Sequence, residues 1–342
     1  MVPAMSSPLA SEAAVHEVSV VIPVYQGERH LGPLLVELSQ LTKPFVSPAG
    51  HRLEVDEVIL VFDHGPDDSP RVMRELRDQY EFVRTVWLSR NFGQHAATLA
   101  GMSSSGGDWI VTMDEDGQQD PSDIGAMLDT ALAEYATVVY GDPINKPPHG
   151  VARNAASRGA KWFTSRLVGA TDVVKFNSYR LVLGEIGRSI AAYVGSGVYL
   201  DVALGWVANR SVTCPVTLRD EGTRTSGYST RTLASHFWRL VLTSGTRGLR
   251  VVSAVGLGFA VLGVLAAVVL VVARLGGADI QAGWTSLTVV ILVSSGAILF
   301  SLGVLAEYLG VAVGMAMGRP PYLIVGDPVD GPLGSGTGAS RK

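Results

Sequence analysis

VSVVIPV, residues 18–24, is a β-branched run, and the helical pattern LGPLLVELSQL follows it at 31–41. Further strand-like runs alternate with polar loops and helical segments along the chain. These runs are DEVILVFD (56–63), VRTVWLS (83–89) and DWIVTMD (108–114). Alternation of strand and helix is typical of a mostly parallel sheet with helices on both faces. The sequence therefore predicts an α/β fold over residues 17–229.

The most informative candidate site is MDEDGQQDP, residues 113–121, directly after the fourth predicted strand. In an extended segment Asp114 and Asp116 project to the same side, which suits two oxygen ligands on Mg²⁺ or Mn²⁺. An Asp-x-Asp on its own also occurs in solvated acidic turns. Its position favours the metal, because ligands in such folds bind beyond the carboxyl ends of the strands.

Composition excludes several classes of function. The net charge of −4 gives no basic footprint, so a nucleic-acid partner is not expected. Cys214 is the single cysteine, which excludes an internal disulfide and a multi-cysteine metal site. The chain has neither a G-x-x-x-x-G-K-S/T loop nor a G-x-G-x-x-G loop, so a P-loop kinase and a dinucleotide-dependent oxidoreductase are not indicated.

Two uncharged apolar segments, 251–273 and 285–306, each have the length of about 20 residues that crosses a bilayer core. Only 274–284 separates them, so they are expected to form a hairpin that leaves both termini on one side. Arginines flank the hairpin, and residues 1–17 lack an export signal. The sequence predicts a multi-pass protein of the cell membrane whose catalytic domain and termini are cytoplasmic.

The remaining segments complete the predicted organisation. Residues 1–16 are expected to be disordered, and 307–342 to form a cytoplasmic tail. Residues 230–250 place apolar and basic side chains on different helical faces, which indicates a juxtamembrane amphipathic helix in the headgroup region. A core-packing helix is the alternative for this segment, and proximity to the predicted spans favours the interfacial one.

Five motifs together resemble the membrane-anchored family 2 glycosyltransferases that transfer a sugar to a polyprenyl phosphate. They are VSVVIPVYQGE, EVILVFDHGPDD, LSRNFGQHAA, MDEDGQQDP and AEYLGVAVGMAMGRPPYLI. The resemblance extends over about residues 17–325. It implies a GT-A fold, a nucleotide-sugar donor, a polyprenyl phosphate acceptor, a divalent metal and inversion at the anomeric carbon. It leaves the sugar, the nucleotide and the oligomeric state open, a homo-oligomer included.

The resemblance also implies roles for particular residues. The nucleotide-sugar site would contain Pro23, Tyr25, Glu28, Asp63, Arg90, Asn91, Gly93, Gln94, Asp114, Glu115 and Asp116. The metal site would contain Asp114, Asp116 and Gln118, with Asp116 as the more direct ligand. Phe62 stands where relatives carry a first aspartate before Asp63, so one polar contact to the base is in question.

The acceptor phosphate is expected to meet arginines, whose guanidinium fork suits a phosphate monoester. RNAASRGAKWFTSR supplies Arg153 and Arg158, the latter also assigned to catalysis with Asp114 and Asp116. A solvated helix face is the alternative interpretation of this segment. RDEGTRTSGYS supplies Ser226 and either Arg219 or Arg224, because it matches the corresponding loop of relatives only with a two-residue insertion.

Two other functions fit parts of the sequence. A processive polysaccharide synthase of the same superfamily would carry a Q-x-x-R-W motif and more membrane helices, and the sequence shows neither. A nonenzymatic membrane scaffold with this fold would not need Asp114, Asp116 and Arg90, all of which are present.

The topology prediction is testable by cysteine labelling in a Cys214→Ser background. A single cysteine at Ala278 should react with a membrane-impermeant maleimide in intact cells, because 274–284 is predicted to lie outside. A cysteine at Ser122 should react only after lysis. Labelling at Ser122 in intact cells would reverse the orientation.

Overall fold

The computed structural model describes residues 14–145, 177–195, 197–219 and 283–331, and scattered residues between 252 and 276. Its contacts divide the chain into a sheet-containing unit and a second unit that includes the long apolar helix. Within the described residues, one mixed sheet contains nine strands. These are β1 (His16–Val24), β2 (Phe45–Val46), β3 (Arg52–Phe62), β4 (Val83–Leu88), β5 (Trp109–Thr112), β6 (Val138–Pro143), β7 (Arg180–Leu183), β8 (Ser211–Val216) and β9 (Ile324–Val325).

Helices connect these strands, as the alternating pattern predicted. They are α1 (Leu31–Ser39), α2 (Ser69–Gln79), α3 (Gln94–Ser104), α4 (Ile124–Glu134), α5 (Gly184–Tyr193), α6 (Leu200–Val207) and α7 (Trp284–Ala316). A 3₁₀ turn, Pro121–Asp123, precedes α4.

The order of the strands is β8-β6-β7-β5-β1-β3-β4-β9, with β2 paired to β3. Strands β5, β1, β3 and β4 are parallel, as predicted. β7 is antiparallel to both of its neighbours, β5 and β6, so the sheet is mixed rather than purely parallel. The chain places β3 and β5 on opposite sides of β1. A crevice at such a reversal is where α/β sheets bind ligands.

Alternate side chains of the strands enter two separate cores. Val20 and Ile22 pack on the face that α1, α2 and α4 cover, whereas Val21 packs on the face that α3 and α5 cover. α3 lies close to the sheet because Gly101 has no side chain: a Cβ there would stand 2.3 Å from Val21 Cγ1. Because successive side chains of a strand point to opposite faces, both faces of the sheet are apolar and both are covered by helices.

α7 has the length and apolar composition of a membrane-spanning helix. Its stretch Val293–Ala316 has a mean hydropathy of 1.9, and only 6% of the most apolar part is buried within the protein. The helix continues ten residues beyond the predicted end at 306, so the predicted tail begins as helix. In the described part of the chain this is the one helix that meets the criterion. Most of the predicted first span, 251–273, lies outside the described residues, as do 1–13 and 230–250.

The chain after α7, predicted as a cytoplasmic tail over 307–342, contributes β9 to the sheet. β9 pairs antiparallel with β4, and Ser89 N donates to Leu323 O at 2.9 Å. Both side-chain oxygens of Asp327 accept hydrogen bonds from Arg74, each at 2.8 Å. The Arg74 guanidinium also lies 4.8 Å from the centre of the Trp87 ring. These contacts cover the edge of β4, which would otherwise expose unpaired backbone groups.

Asp327→Asn should destabilise the sheet-containing unit by about 1.5–3 kcal/mol, because it weakens a bidentate, charge-assisted pair. Hydrogen bonding from Arg74 lowers the pKa of Asp327. The stabilisation is therefore complete above the unfolded-state pKa of about 3.9 and is lost as the pH falls through the lower folded-state pKa. Thermal unfolding in detergent should show a midpoint several degrees lower at pH 7. The exposed Asp330→Asn is the control, and equal midpoints for the two variants would contradict the role of the pair.

Candidate active site at the end of the central strands

Asp114 follows β5 and is held by side chains from three parts of the chain. Its Oδ1 accepts from Gln94 Nε2 at 2.6 Å, and its Oδ2 accepts from Ser178 Oγ at 2.5 Å and Gln119 Nε2 at 3.0 Å. Burial raises the pKa of Asp114, and the neighbouring Asp116 carboxylate raises it further, while the bond from Ser178 opposes both. The carboxylate is thus fixed in one orientation at the crevice.

Gln119, next to the predicted metal-site residue Gln118, contacts Asp114. Its side chain is buried, accepts from Asp114 N at 2.9 Å and donates to Asp114 and to Ser178. Gln118 is partly exposed, and its backbone carbonyl accepts from Arg219 N at 2.8 Å. The adjacent glutamines differ because a turn follows Asp114, and sequence alone does not say which one turns inward.

Asp116 lies in this turn and, like Asp114, is partly exposed. Its Oδ1 accepts from Gln118 N at 3.1 Å, a bond typical of an Asx turn, and Gly117 takes a φ of +73° that favours glycine. The turn therefore holds the Asp116 carboxylate near Asp114, whose pKa it helps to raise.

Glu115 binds the backbone of the loop after β1. Its two carboxylate oxygens accept from the backbone N–H groups of Tyr25 and Gln26, at 2.8 and 2.9 Å. The loop after β1 thereby stabilises the third carboxylate of the acidic run by hydrogen bonding. This bond joins the loop that carries Tyr25 to the loop that carries Asp116.

Asp63 likewise accepts hydrogen bonds from the backbone of the loop after β4. Its oxygens accept from Phe92 N at 2.7 Å and Gly93 N at 2.8 Å, while Asn91 Nδ2 donates to the Asp63 carbonyl at 3.0 Å. Burial raises the pKa of Asp63, and the two backbone hydrogen bonds oppose that rise. The Asp63 carboxylate thus holds the 90–94 loop.

The 90–94 loop presents two functional groups at the crevice. Gly93, at a φ of +93°, lets the chain turn into α3, whose first residue is Gln94. Arg90 is exposed, and its guanidinium carbon lies 4.0 Å from the centre of the Phe92 ring. Arg90 and Gln94 therefore lie on the same loop as predicted, with Gln94 turned to Asp114.

The loop after β1 is packed against the loop after β3. Glu28 N donates to Asp67 Oδ2 at 3.1 Å, and a Cβ on Gly65 would lie 1.4 Å from the Tyr25 carbonyl oxygen. Tyr25 is exposed beside this junction. Pro23, the predicted residue next along the chain from this loop, is buried within β1.

Arg219 is bound to acidic side chains of its own chain. Its guanidinium donates to both carboxylate oxygens of Glu37, at 2.8 and 2.7 Å, and contacts Asp120 Oδ2 at 2.9 Å. The side-chain hydrogen bond to Glu37 is the largest of the effects that raise the pKa of Arg219. Arg219 thus bridges α1 and the turn before α4. Arg153, Arg158, Arg224 and Ser226 lie outside the described residues.

A cavity of about 180 Å³ lies beside Asp114, and sequence reasoning missed most of it. It is lined by Gln94, His95, Thr98, Asn177, Ser178, Arg180 and Asp201. Gln94 and Ser178, which both bond Asp114, form the wall nearest the acidic run. The available signal was FNSYRLVL, in which polar residues precede an apolar strand, but only the antiparallel direction of β7 brings them to this edge.

The site fits a divalent metal that a substrate helps to bind. Among the residues that the structure describes, no group of three His, Cys, Asp or Glu side chains could hold an ion by itself. Asp114 and Asp116 supply two carboxylates, and Mg²⁺ is usually held by one or two carboxylates together with phosphate oxygens and water. The donor set therefore agrees with a metal–diphosphate site.

Comparison with known proteins gives the family. The family described as glycosyl transferase family 2 matches residues 19–182. Undecaprenyl-phosphate 4-deoxy-4-formamido-L-arabinose transferase of Klebsiella pneumoniae is 30% identical over 317 residues, 91% of this chain and 93% of that protein. The Pseudomonas syringae enzyme of that name is 30% identical over 90% of this chain and 89% of its own length. The chain therefore belongs to glycosyltransferase family 2, whose members have the GT-A fold and commonly use a divalent metal.

A solved structure shows a more distant likeness. Staphylococcus aureus TarS in complex with UDP-GlcNAc is 14% identical, with a TM-score of 0.45 over 67% of this chain and 66% of that chain.

Asp63→Asn should weaken nucleotide binding about tenfold or more, because an amide NH₂ would face a backbone N–H and release the 90–94 loop. The matched control is Asp56→Asn, because Asp56 is exposed on β3, the strand that Asp63 directly follows. Titration calorimetry with nucleoside diphosphates would measure both variants. Unchanged affinity in Asp63→Asn would show that the loop is held by other contacts.

Proposed function

We propose that the protein transfers a sugar from a UDP- or GDP-linked donor to undecaprenyl phosphate, with inversion, for assembly or modification of a cell-envelope glycan. The observation that carries this proposal is the Asp114–Asp116 pair at the end of β5, where hydrogen bonds hold Asp114. The chain is also 30% identical, over nearly its whole length, to undecaprenyl-phosphate 4-deoxy-4-formamido-L-arabinose transferase of Klebsiella pneumoniae. The sugar of this chain and its nucleotide stay open.

The donor's nucleoside is proposed to bind beyond β1, β3 and β4. Tyr25 and Glu28 lie in the loop after β1, whose backbone donates hydrogen bonds to Glu115. Arg90 lies in the loop after β4, whose backbone donates hydrogen bonds to Asp63. The diphosphate would then reach Asp116 at the rim of the crevice. In this arrangement Glu115, Asp63, Asn91 and Gly93 shape the nucleotide site rather than contact the donor through their side chains.

Mg²⁺ or Mn²⁺ is proposed to bind at Asp116 and Asp114, with Gln118 beside them. When bound, the ion would neutralise charge on the departing diphosphate. Asp116 is the more available ligand, because Asp114 already accepts three hydrogen bonds from side chains. Asp114 would accordingly fix the position of the acidic turn as well as its charge.

The acceptor chemistry does not require a base from the protein. A phosphate monoester is anionic at pH 7, since its second pKa is about 6. An acceptor oxygen can attack the anomeric carbon as the bond to the diphosphate breaks, so catalysis consists of alignment and charge stabilisation. Arg153, Arg158 and Arg224, with Ser226, are proposed to hold the acceptor phosphate. Arg219 is a weaker candidate because Glu37 and Asp120 already pair with it.

Attachment to the membrane would bring the enzyme to its lipid substrate. α7 is the described helix that could cross the bilayer. A second span over 251–273, an amphipathic helix over 230–250 and cytoplasmic termini are parts of this proposal. A homo-oligomer is compatible with it. A processive synthase and a nonenzymatic scaffold are the alternatives, and formation of a single-sugar lipid would exclude both.

The direct test incubates membranes containing the protein with undecaprenyl phosphate and a panel of UDP- and GDP-sugars. The expected product, found by mass spectrometry, is one polyprenyl-phosphate sugar, and its formation should stop with a chelator and resume with Mg²⁺ or Mn²⁺.

Asp116→Asn should reduce the rate at least a hundredfold while leaving the protein folded and membrane-bound, because it removes a charged ligand from an open turn. The control is Asp108→Asn, at the opposite end of β5, which should keep full activity. Chelator-resistant turnover by Asp116→Asn would contradict the metal site.

A further inference from the structure

Two residues that the structure describes, Asn145 and Arg219, stand directly before the segments that contain the arginines proposed to hold the acceptor phosphate. Asn145 precedes residues 146–176, and Arg219 precedes residues 220–251. Contacts that fix Asn145 and Arg219 therefore fix where both segments begin.

Asn145 is bound to the backbone of Leu218 in both directions. Its Nδ2 donates to the Leu218 carbonyl at 2.6 Å, and its Oδ1 accepts from Leu218 N at 2.9 Å, although the two residues are 73 positions apart. Leu218 also forms an isolated antiparallel bridge with Gln119, and Arg219 N donates to the Gln118 carbonyl at 2.8 Å. The starts of both segments are thereby joined to the acidic turn after β5.

The Arg219 side chain makes a second connection to this turn. Besides its two contacts with Glu37 of α1, its guanidinium lies 2.9 Å from Asp120 Oδ2. The other carboxylate oxygen of Asp120 accepts from Ser122 N at 2.9 Å. Burial by itself would raise the pKa of Asp120, but hydrogen bonds from Ser122 and Arg219 outweigh it and lower the pKa. Asp120 is therefore ionised at neutral pH and pairs with Arg219 as a charge.

The cluster of Glu37, Asp120 and Arg219 contributes geometry more than stability. The side chains of Arg219 and Glu37 are 39% and 38% exposed, and exposed ion pairs add little to the free energy of unfolding. A guanidinium that contacts both oxygens of one carboxylate and an oxygen of a second is nevertheless held in one direction. Two carboxylates also meet one guanidinium, so the cluster is net anionic and repels a phosphate.

We propose that Arg219 and Asn145 are positioning residues that hold the two acceptor-binding segments at the acidic turn, and that Arg219 does not itself bind the acceptor phosphate. The inference rests on the proposed function, because it concerns the use of the lipid acceptor. Both anchors end on the turn that carries Asp116, so they set the distance between the acceptor phosphate and the donor's diphosphate. Such alignment is a large part of catalysis when the acceptor needs no base.

Glu37→Gln distinguishes the two roles of Arg219, because it weakens the cluster and leaves the arginine in place. Initial rates of the full-length protein in membranes would be measured over a range of undecaprenyl phosphate concentrations, and diphosphate affinity by titration calorimetry. Glu37→Gln and Arg219→Gln should each raise the KM for undecaprenyl phosphate about three- to tenfold, with kcat and diphosphate affinity unchanged. The double variant should be no worse than Arg219→Gln, because both changes break the same contact.

Two further variants test the geometry of the anchors. Arg219→Lys should recover part of the loss seen in Arg219→Gln, because it keeps the charge without the planar guanidinium. Asn145→Ala should raise the KM for undecaprenyl phosphate in the same way, because it removes both bonds to Leu218. Neither should change diphosphate affinity.

The matched controls are Arg210→Gln and Glu134→Gln, which break an exposed ion pair at the other end of β8 and should behave as the wild type. An unchanged or lowered KM in Glu37→Gln beside a raised KM in Arg219→Gln would overturn the inference, because Arg219 would then bind the phosphate itself. A lower kcat with an unchanged KM in both variants would overturn it in favour of a role in folding. Absence of any lipid product from the wild type would instead overturn the proposed function, and the inference with it.

Discussion

The crevice depends on the fixed orientation of one buried carboxylate, that of Asp114. Gln94, Gln119 and Ser178 hold it from the start of α3, the turn after β5 and the segment before β7. A buried carboxylate is costly unless such donors surround it. The three donors therefore stabilise the charged carboxylate. They also fix the relative positions of the three chain segments that supply them.

Two further acids bring neighbouring loops to the same edge. Glu115 binds the backbone after β1, and Asp63 binds the backbone after β4. In each case a carboxylate accepts hydrogen bonds from two backbone N–H groups that lie in a loop and need a hydrogen-bond acceptor. Three acidic residues at this edge, Asp63, Asp114 and Glu115, thus hold neighbouring chain segments in place.

The C-terminal segment extends the same sheet on its far edge. β9 pairs with β4, and its neighbour Leu323 bonds Ser89, which directly precedes Arg90. The chain that follows a candidate membrane helix is thereby joined to the strand before the 90–94 loop. Arg74, which lies near the Trp87 ring and pairs with Asp327, anchors the contact.

The sequence by itself determined the α/β class, the four parallel strands at the centre and the family, because strand and helix periods and the motif after β5 are local properties. It also located Asp114, Asp116 and Gln94. Only the tertiary structure decided the reversed direction of β7, the addition of β9, and the contact of Gln119 with Asp114. It also decided that Glu115 and Asp63 bind backbone, Pro23 is buried and Arg219 meets Glu37. These depend on contacts between segments far apart in the chain, such as Ser178 with Asp114, and no local period encodes them.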